Sequence, residues 1–205
     1  LLPAGAASKQ LSFTASGAIA QGKPVILNTN GTVTQVTGDS ATEAVGTPAT
    51  FQSGEARYIN ATFDSSNNKV VFAYRDISNS NYGTAVVGTP ASDNSITFGT
   101  PVVFNSGTTE NQSPIFDSSN NKVVIAYTDG SNSDYGTCVV GTVSGTSISF
   151  GSEVVFRSST ADYIRIVFDS SNNKVVIIFR DAAGAYGGAG NAIVGEVSGT
   201  SMSFG

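Results

Sequence analysis

Apolar residues along this chain fall in short runs rich in Val and Ile, each bounded by Gly, Ser, Asn, Asp or Pro. Such punctuation predicts strands, because the runs end before a helix could use them. Tyr58 to Phe63 predicts a first strand, and Asp64-Ser65-Ser66-Asn67-Asn68 a tight turn closed by side-chain bonds to the nearby backbone. Lys69 to Asp76 predicts a second strand, with Val70, Phe72 and Tyr74 on one face and Val71, Ala73 and Arg75 on the other. Both faces begin apolar, so this strand is expected to be covered on both sides. Ala85 to Gly88 predicts a third strand. Ile96 to Phe104 predicts a fourth, with Gly99 expected at a bulge.

This pattern is repeated. Phe-Asp-Ser-Ser-Asn-Asn-Lys-Val-Val begins at Phe63, Phe116 and Phe168, spacings of 53 and 52 residues. Gly46, Gly99 and Gly151 head a second marker with the same spacings. Repeats of this length, each carrying four antiparallel strands, have the size of a β-propeller blade. Blades stack face to face, which accounts for strands that are apolar on both faces. The expected fold is all-β: three tandem four-stranded, propeller-like repeats over 47–99, 100–151 and 152–205. A small β-rich leader, 1–46, precedes them. Its Val25-Ile26-Leu27 and Val33-Thr34-Gln35-Val36 flank Asn30-Gly31, a strong hairpin signal. Closed propellers have about four to eight blades, so three copies are expected to meet further blades, another chain or a larger assembly. Val70, Val123 and Val175 are expected in matching buried sites.

Composition narrows the chemistry. Leu occurs only at positions 1, 2, 11 and 27, and charged residues make up 12 % of the chain. The net charge is −5 and the ten basic residues are scattered, so no basic stripe points to nucleic acid. No run of about 18 apolar residues exists, and membrane insertion by a helix is not expected. The chain has no His, which removes the usual general base near neutral pH and any Ser-His-Asp or Cys-His site. Carboxylate-only glycoside cleavage needs two acids in a cleft, and no spacing here pairs two. No catalytic residue, cofactor or metal is therefore expected. Asp64, Asp117 and Asp169 supply one carboxylate per turn, which suits turn closure better than calcium. Asp76, Asp129 and Asp181 are expected to cap the second strand. Cys138 replaces Ala85 and Ala192 and is expected as a small buried hydrophobe.

With strands running alternately up and down, the Asp-Ser-Ser-Asn-Asn turns lie on one rim. The divergent loops 76–82, 129–135 and 181–190, with 105–112 and 157–163, lie on the other. Divergent loops are where contacts are free to evolve. The candidate contact residues are Ser78, Asn79, Asn81, Thr109, Glu110, Ser131, Asn132, Asp134, Asp162 and Tyr163. Tyr82, Tyr135 and Tyr186 recur before the third strand and are expected to pack between copies.

The leader from Phe13 to Val33 resembles leaders of virion structural proteins of tailed bacteriophages. The Phe-Asp-Ser-Ser-Asn-Asn-Lys-Val-Val block and Tyr82-Gly83-Thr84-Ala85-Val86-Val87-Gly88-Thr89 resemble repeats of long phage tail-fibre-like proteins. The resemblance implies a non-enzymatic virion protein, a tail fibre or appendage for host attachment. Its partners would be other virion proteins, copies of itself and host-surface glycan. A capsid decoration protein, or a secreted carbohydrate-binding or carbohydrate-cleaving propeller, are the alternatives.

Overall fold

The computed structural model describes residues 12–36, 46–183 and 188–205, which form two units, Leu1–Val45 and Gly46–Gly205. In the first unit, β1 (Thr14–Ala15), β2 (Val25–Leu27) and β3 (Thr32–Gln35) form a three-stranded sheet in the order β1-β3-β2. β2 and β3 are antiparallel across the Asn30-Gly31 turn, with Gly31 at φ +80°. Asn30 Oδ1 accepts from the Thr32 N–H at 3.1 Å and fixes that turn. Val25, Ile26 and Leu27 remain about half exposed, so this sheet has little core of its own. Residues 38–44, Gly-Asp-Ser-Ala-Thr-Glu-Ala, have the composition of a linker and lie outside the described residues.

The second unit is all-β. Its strands are β4 (Ala56–Asp64), β5 (Lys69–Asp76), β6 (Tyr82–Pro90), β7 (Ile96–Phe98), β8 (Val102–Asp117), β9 (Lys122–Asp129) and β10 (Tyr135–Ser144). Then follow β11 (Ser147–Phe150), β12 (Val154–Asp169), β13 (Lys174–Asp181), β14 (Ala189–Ser198) and β15 (Ser201–Phe204). A short 3₁₀ turn covers Ile77–Asn79. The strands run as an antiparallel ladder, β4-β5-β6-β8-β9-β10-β12-β13-β14-β15, with β7 and β11 appended to β6 and β10. The ladder does not close into a barrel.

Two long strands divide this ladder into three sheets. Val102 to Thr108 of β8 pairs with β6, whereas Thr109 to Asp117 pairs with β9. β12 repeats the arrangement: its first half pairs with β10 and its second with β13. Each long strand therefore finishes one sheet and starts the next. In the first two sheets a strand is supplied by the head of the following sequence repeat, which the sequence periods of 47–99, 100–151 and 152–205 do not reveal. The expected bulge at Gly99 is instead a strand break, at Gly99-Thr100-Pro101 and again at Gly151-Ser152-Glu153. A Cβ at Gly99 would lie 1.8 Å from the Thr146 carbonyl oxygen, and one at Gly151 2.0 Å from that of Thr200. The turn of the next sheet occupies that space.

Neighbouring sheets pack through their faces. Val71, Ala73, Ala85 and Val87 of the first sheet meet Val123, Ile125 and Tyr127 of the second. Val124, Ala126, Cys138 and Val140 on the other face of the second sheet meet Ile164, Val175, Ile177 and Phe179 of the third. The cover on both sides expected of Lys69–Asp76 is complete in its counterpart β9, buried from Val123 to Asp129, whereas β5 itself leaves Val70 and Phe72 only half-buried on its outer face. Each copy also builds an aromatic group: Phe51 with Tyr74 and Phe98, Phe104 with Tyr127 and Phe150, and Phe156 with Phe179 and Phe204. Ring centroids lie 5.2–6.1 Å apart, within the range of favourable edge and offset contacts. Val123 and Val175 are buried, whereas Val70 is half-buried because its face is the outer face of the first sheet.

Candidate functional site

Two rims follow from the strand directions. On one rim the three Asp-Ser-Ser-Asn-Asn turns are built alike. Asp64 Oδ1 accepts from the Ser66 and Asn67 N–H groups, both at 3.0 Å, while Asn67 Nδ2 donates to Asp64 Oδ2 at 2.8 Å. Asp117 and Asp169 make the same three bonds. The closing Asn68, Asn121 and Asn173 sit at φ 54–55°, the left-handed region that Asn tolerates. The bonds from Asn172 and Ser171 hold the Asp169 carboxyl below the usual carboxylate range. These carboxylates are committed to turn closure.

The opposite rim carries the loops after β5, β9 and β13, together with the crossings inside β8 and β12. Asp76, Asp129 and Asp181 anchor its loops from the second strand of each copy. Asp76 Oδ1 accepts from the Asn79 N–H at 3.1 Å, and Asp129 Oδ1 from the Ser131 N–H at 3.0 Å and its hydroxyl at 2.6 Å. Asp181 accepts from Ser159 Oγ at 2.9 Å and pairs with Arg157. Burial alone would raise the Asp181 pKa; bonds from Ser159, Ala183 and Arg157 outweigh it and hold the carboxyl low. The loops then stitch to the next sheet, where the Thr109 N–H donates to the Asn81 carbonyl at 3.2 Å and the Ala161 N–H to that of Asp134 at 3.1 Å.

The structure brings the candidate contact residues to this rim but gives them unequal freedom. Ser78, Asn79, Ser131, Asn132 and Asp134 are exposed. Asn81 is half-buried and accepts from Arg75 Nε at 3.0 Å. Glu110 accepts from Arg75 Nη1 at 2.8 Å, an ion pair between the first and second sheets. Thr109 is a correction: it is fully buried, and its hydroxyl accepts from Gln112 Nε2 at 2.8 Å. β8 runs through the loop expected over 105–112, as β12 does through that expected over 157–163, and Thr109 opens the pairing with β9, so it faces the core and not the solvent. Tyr186 and part of loop 181–190 lie outside the described residues.

Tyr163 and Asp162 form the most distinctive pair. Tyr163 adopts φ 50°, as do its equivalents Tyr58 and Asn111 at φ 51° and 55°. The ladder slips at that point in every copy, so a β-bulge aims the side chain outward. Tyr163 is 66 % exposed, and the Arg180 guanidinium sits 4.9 Å from its ring centroid. Arg180 Nε also donates to Asp162 Oδ1 at 2.7 Å, a bond that raises the guanidinium pKa. Tyr163 and Arg180 line a concavity of about 580 Å³ with Ile178, Phe179, Gly190 and Ala192. Tyr163 and Asp162 are among the candidates read from the sequence; Arg180, which stacks on one and pairs with the other, is not, because no local pattern brings the end of β13 beside the bulge of β12.

Among the described residues, no three His, Cys, Asp or Glu side chains gather as a metal-binding group. Burial pushes the Cys138 thiol up to about 12, and its Sγ lies 3.8 Å from Met202 Sδ. No helix among the described residues is long and apolar enough to cross a membrane. No protein-family model matches the chain, and no curated protein matches it.

Proposed function

We propose that this chain is a non-enzymatic virion structural protein of a tailed phage, a tail fibre or appendage that displays its variable rim to the host surface. The observation that carries the reading is the division of labour between the rims. One rim spends its acids and amides on identical turns, whereas the other leaves Ser78, Asn79, Ser131, Asn132, Asp134 and Tyr163 exposed on anchored loops. Rigidly mounted exposed polar and aromatic groups suit weak, repeated contacts, and several copies would supply avidity. The half-exposed apolar strand Val25–Leu27 in the leader supports a role in anchoring.

The test has two arms. Antibody against the chain should label virions in negative-stain micrographs. The fluorescent chain should bind whole bacterial cells, and a Ser131→Ala/Asn132→Ala/Asp134→Ala variant should lose most of that binding. A Ser118→Ala change on the opposite rim should leave it unaltered. Release of reducing sugar ends from surface glycan would overturn the non-enzymatic assignment. Binding to cells without virion labelling would favour the secreted carbohydrate-binding alternative, for which the exposed Tyr163 ring is the natural stacking platform.

A further inference from the structure

The joint between the first and second sheets ends, on the variable rim, in a group that the next joint does not repeat. Tyr58 sits at φ 51° in the first copy, and Asn111 holds the same place in the second at φ 55°. Asn enters this left-handed region with little strain, whereas a bulky side chain is rarely found there. Asn111 uses the position for structure. Its Nδ2 donates to Thr128 Oγ1 at 3.1 Å, and the Thr128 hydroxyl donates to the Ala161 carbonyl at 2.5 Å. Those bonds tie the second sheet to the third. Tyr58 is 42 % exposed even with the second sheet beside it, so neither burial nor an easy backbone accounts for the ring. Strain that packing does not explain collects at binding sites.

The groups around this ring are polar and already held. Arg75, which stands where Thr128 does in the second copy, lies over the Tyr58 ring at 6.0 Å from its centroid. Its Nε donates to Asn81 Oδ1 at 3.0 Å, and its Nη1 donates to Glu110 Oε1 at 2.8 Å. Asn81 comes from the loop after β5 and Glu110 from β8, so distant segments fix one guanidinium. Among the described residues, Asn81 Nδ2, Arg75 Nη2 and Glu110 Oε2 make no further bond to protein. Close by in the chain, Gln112 takes the place of Ile59 and Ile164, and its buried Oε1 has no partner among the described residues. An exposed aromatic ring thus stands beside fixed donors and a fixed acceptor.

We infer that this end of the first joint binds a neutral pyranose sugar, which stacks on the Tyr58 ring while Glu110, Arg75 and Asn81 bond its hydroxyls. A pyranose has an apolar face of C–H groups and a belt of hydroxyls, each both donor and acceptor. The negative face of an aromatic ring attracts the C–H face. Glu110 Oε2 accepts from a hydroxyl, and Arg75 Nη2 and Asn81 Nδ2 donate to its neighbours. Charge selects a neutral sugar: Arg75 and Glu110 offset each other, so no spare cation is left for a sugar carboxylate. Because the side chains are tied before the ligand arrives, little ordering cost remains to be met on binding. One such site is weak, and several copies of the chain would supply avidity. The inference rests on the reading of the variable rim as the contact surface.

Saturation-transfer NMR on the full chain tests this, with the methyl pyranosides of glucose, galactose and mannose as probes at millimolar concentration. At least one should take up saturation, most strongly at its ring C–H protons. Tyr58→Asn installs the residue that the second copy carries at this backbone angle, so Tm should hold or rise while affinity falls about tenfold or more. Tyr58→Phe keeps the ring and should keep the binding. The inference is overturned if none of the three probes binds, if Tyr58→Asn binds as tightly as the parent, or if methyl glucuronide binds in preference to all three. Binding of the fluorescent chain to whole cells separates this site from the rim's wider role. Cell binding without any pyranoside binding overturns the sugar site and leaves the rim as a contact surface. Pyranoside binding lost in Tyr58→Asn, with no binding to cells by any form, supports the sugar site and ends the attachment reading.

Discussion

At the scale of single residues, the repeat shows what each position is for by showing what changes and what does not. Cys138 stands among Ala85 and Ala192, fully buried beside Met202, and burial holds its thiol at a pKa of about 12. It should resist a thiol reagent such as dithionitrobenzoate at pH 8 in the folded protein and react within seconds in denaturant; fast reaction in the native state would contradict its burial. The low carboxyls of Asp169 and Asp181 set the response to acid. A carboxyl depressed in the folded state stabilises it above the unfolded pKa, near 4, and that contribution is lost as pH falls through the folded value. With no His to titrate, the melting temperature should stay level from pH 7 to 5 and fall below about pH 4. Asp181→Asn should flatten that acid slope.

At the scale of elements, the same local sequence has different fates according to its neighbours. Residues 46–54 share the pattern of the β8 and β12 heads, but only the latter two find an edge to join and become strands. A strand needs a partner for its backbone groups, which strand propensity does not supply. Glycines at one repeat position separate in the same way. Ala at Gly99 or Gly151 would push a methyl into a backbone carbonyl, and overpacking of this kind costs about 1–3 kcal/mol. At roughly 2–4 °C per kcal/mol, either change should lower Tm by several degrees. Gly46→Ala meets nothing within 4 Å among the described residues and should be silent. Equal effects at all three positions would show that the turn–glycine contact is unimportant.

At the scale of the molecule, stability rests in the two layers between sheets. Val123 is wholly buried at the first of them. Val123→Asp would leave an unpaired charge there, a cost of about 3–5 kcal/mol. The variant should show a much lower urea midpoint or fail to fold, whereas the exposed Val167→Asp should be mild. The turn carboxylates close on backbone and Asn side chains, so the fold should not depend on divalent metal. Dialysis against EDTA should leave Tm within a degree or two, and a fall above about 10 °C would assign those turns to a cation.

Several features were written in the chain itself. Val- and Ile-rich runs between turn formers specified an all-β fold, because pleated strands suit branched side chains and Asp-Ser-Ser-Asn-Asn closes a turn from its own atoms. The apolar faces of the second strands announced cover on both sides, which β9 has in full and β5 only in part. These are local properties, carried by each residue and its near neighbours. Tertiary structure decided the rest. It buried Thr109, which the sequence placed in a loop, because the strand pairing of β8 begins sooner than the pattern suggests. It half-exposed Val70 while burying Val123 and Val175, because the same residue is interior or terminal according to which sheet lies beside it. It drew the first two sheets across the boundary between two sequence repeats, because the heads of β8 and β12 pair back onto β6 and β10. Burial and backbone pairing belong to pairs of segments distant in sequence, and a periodic chain gives every copy the same local signal whatever stands next to it.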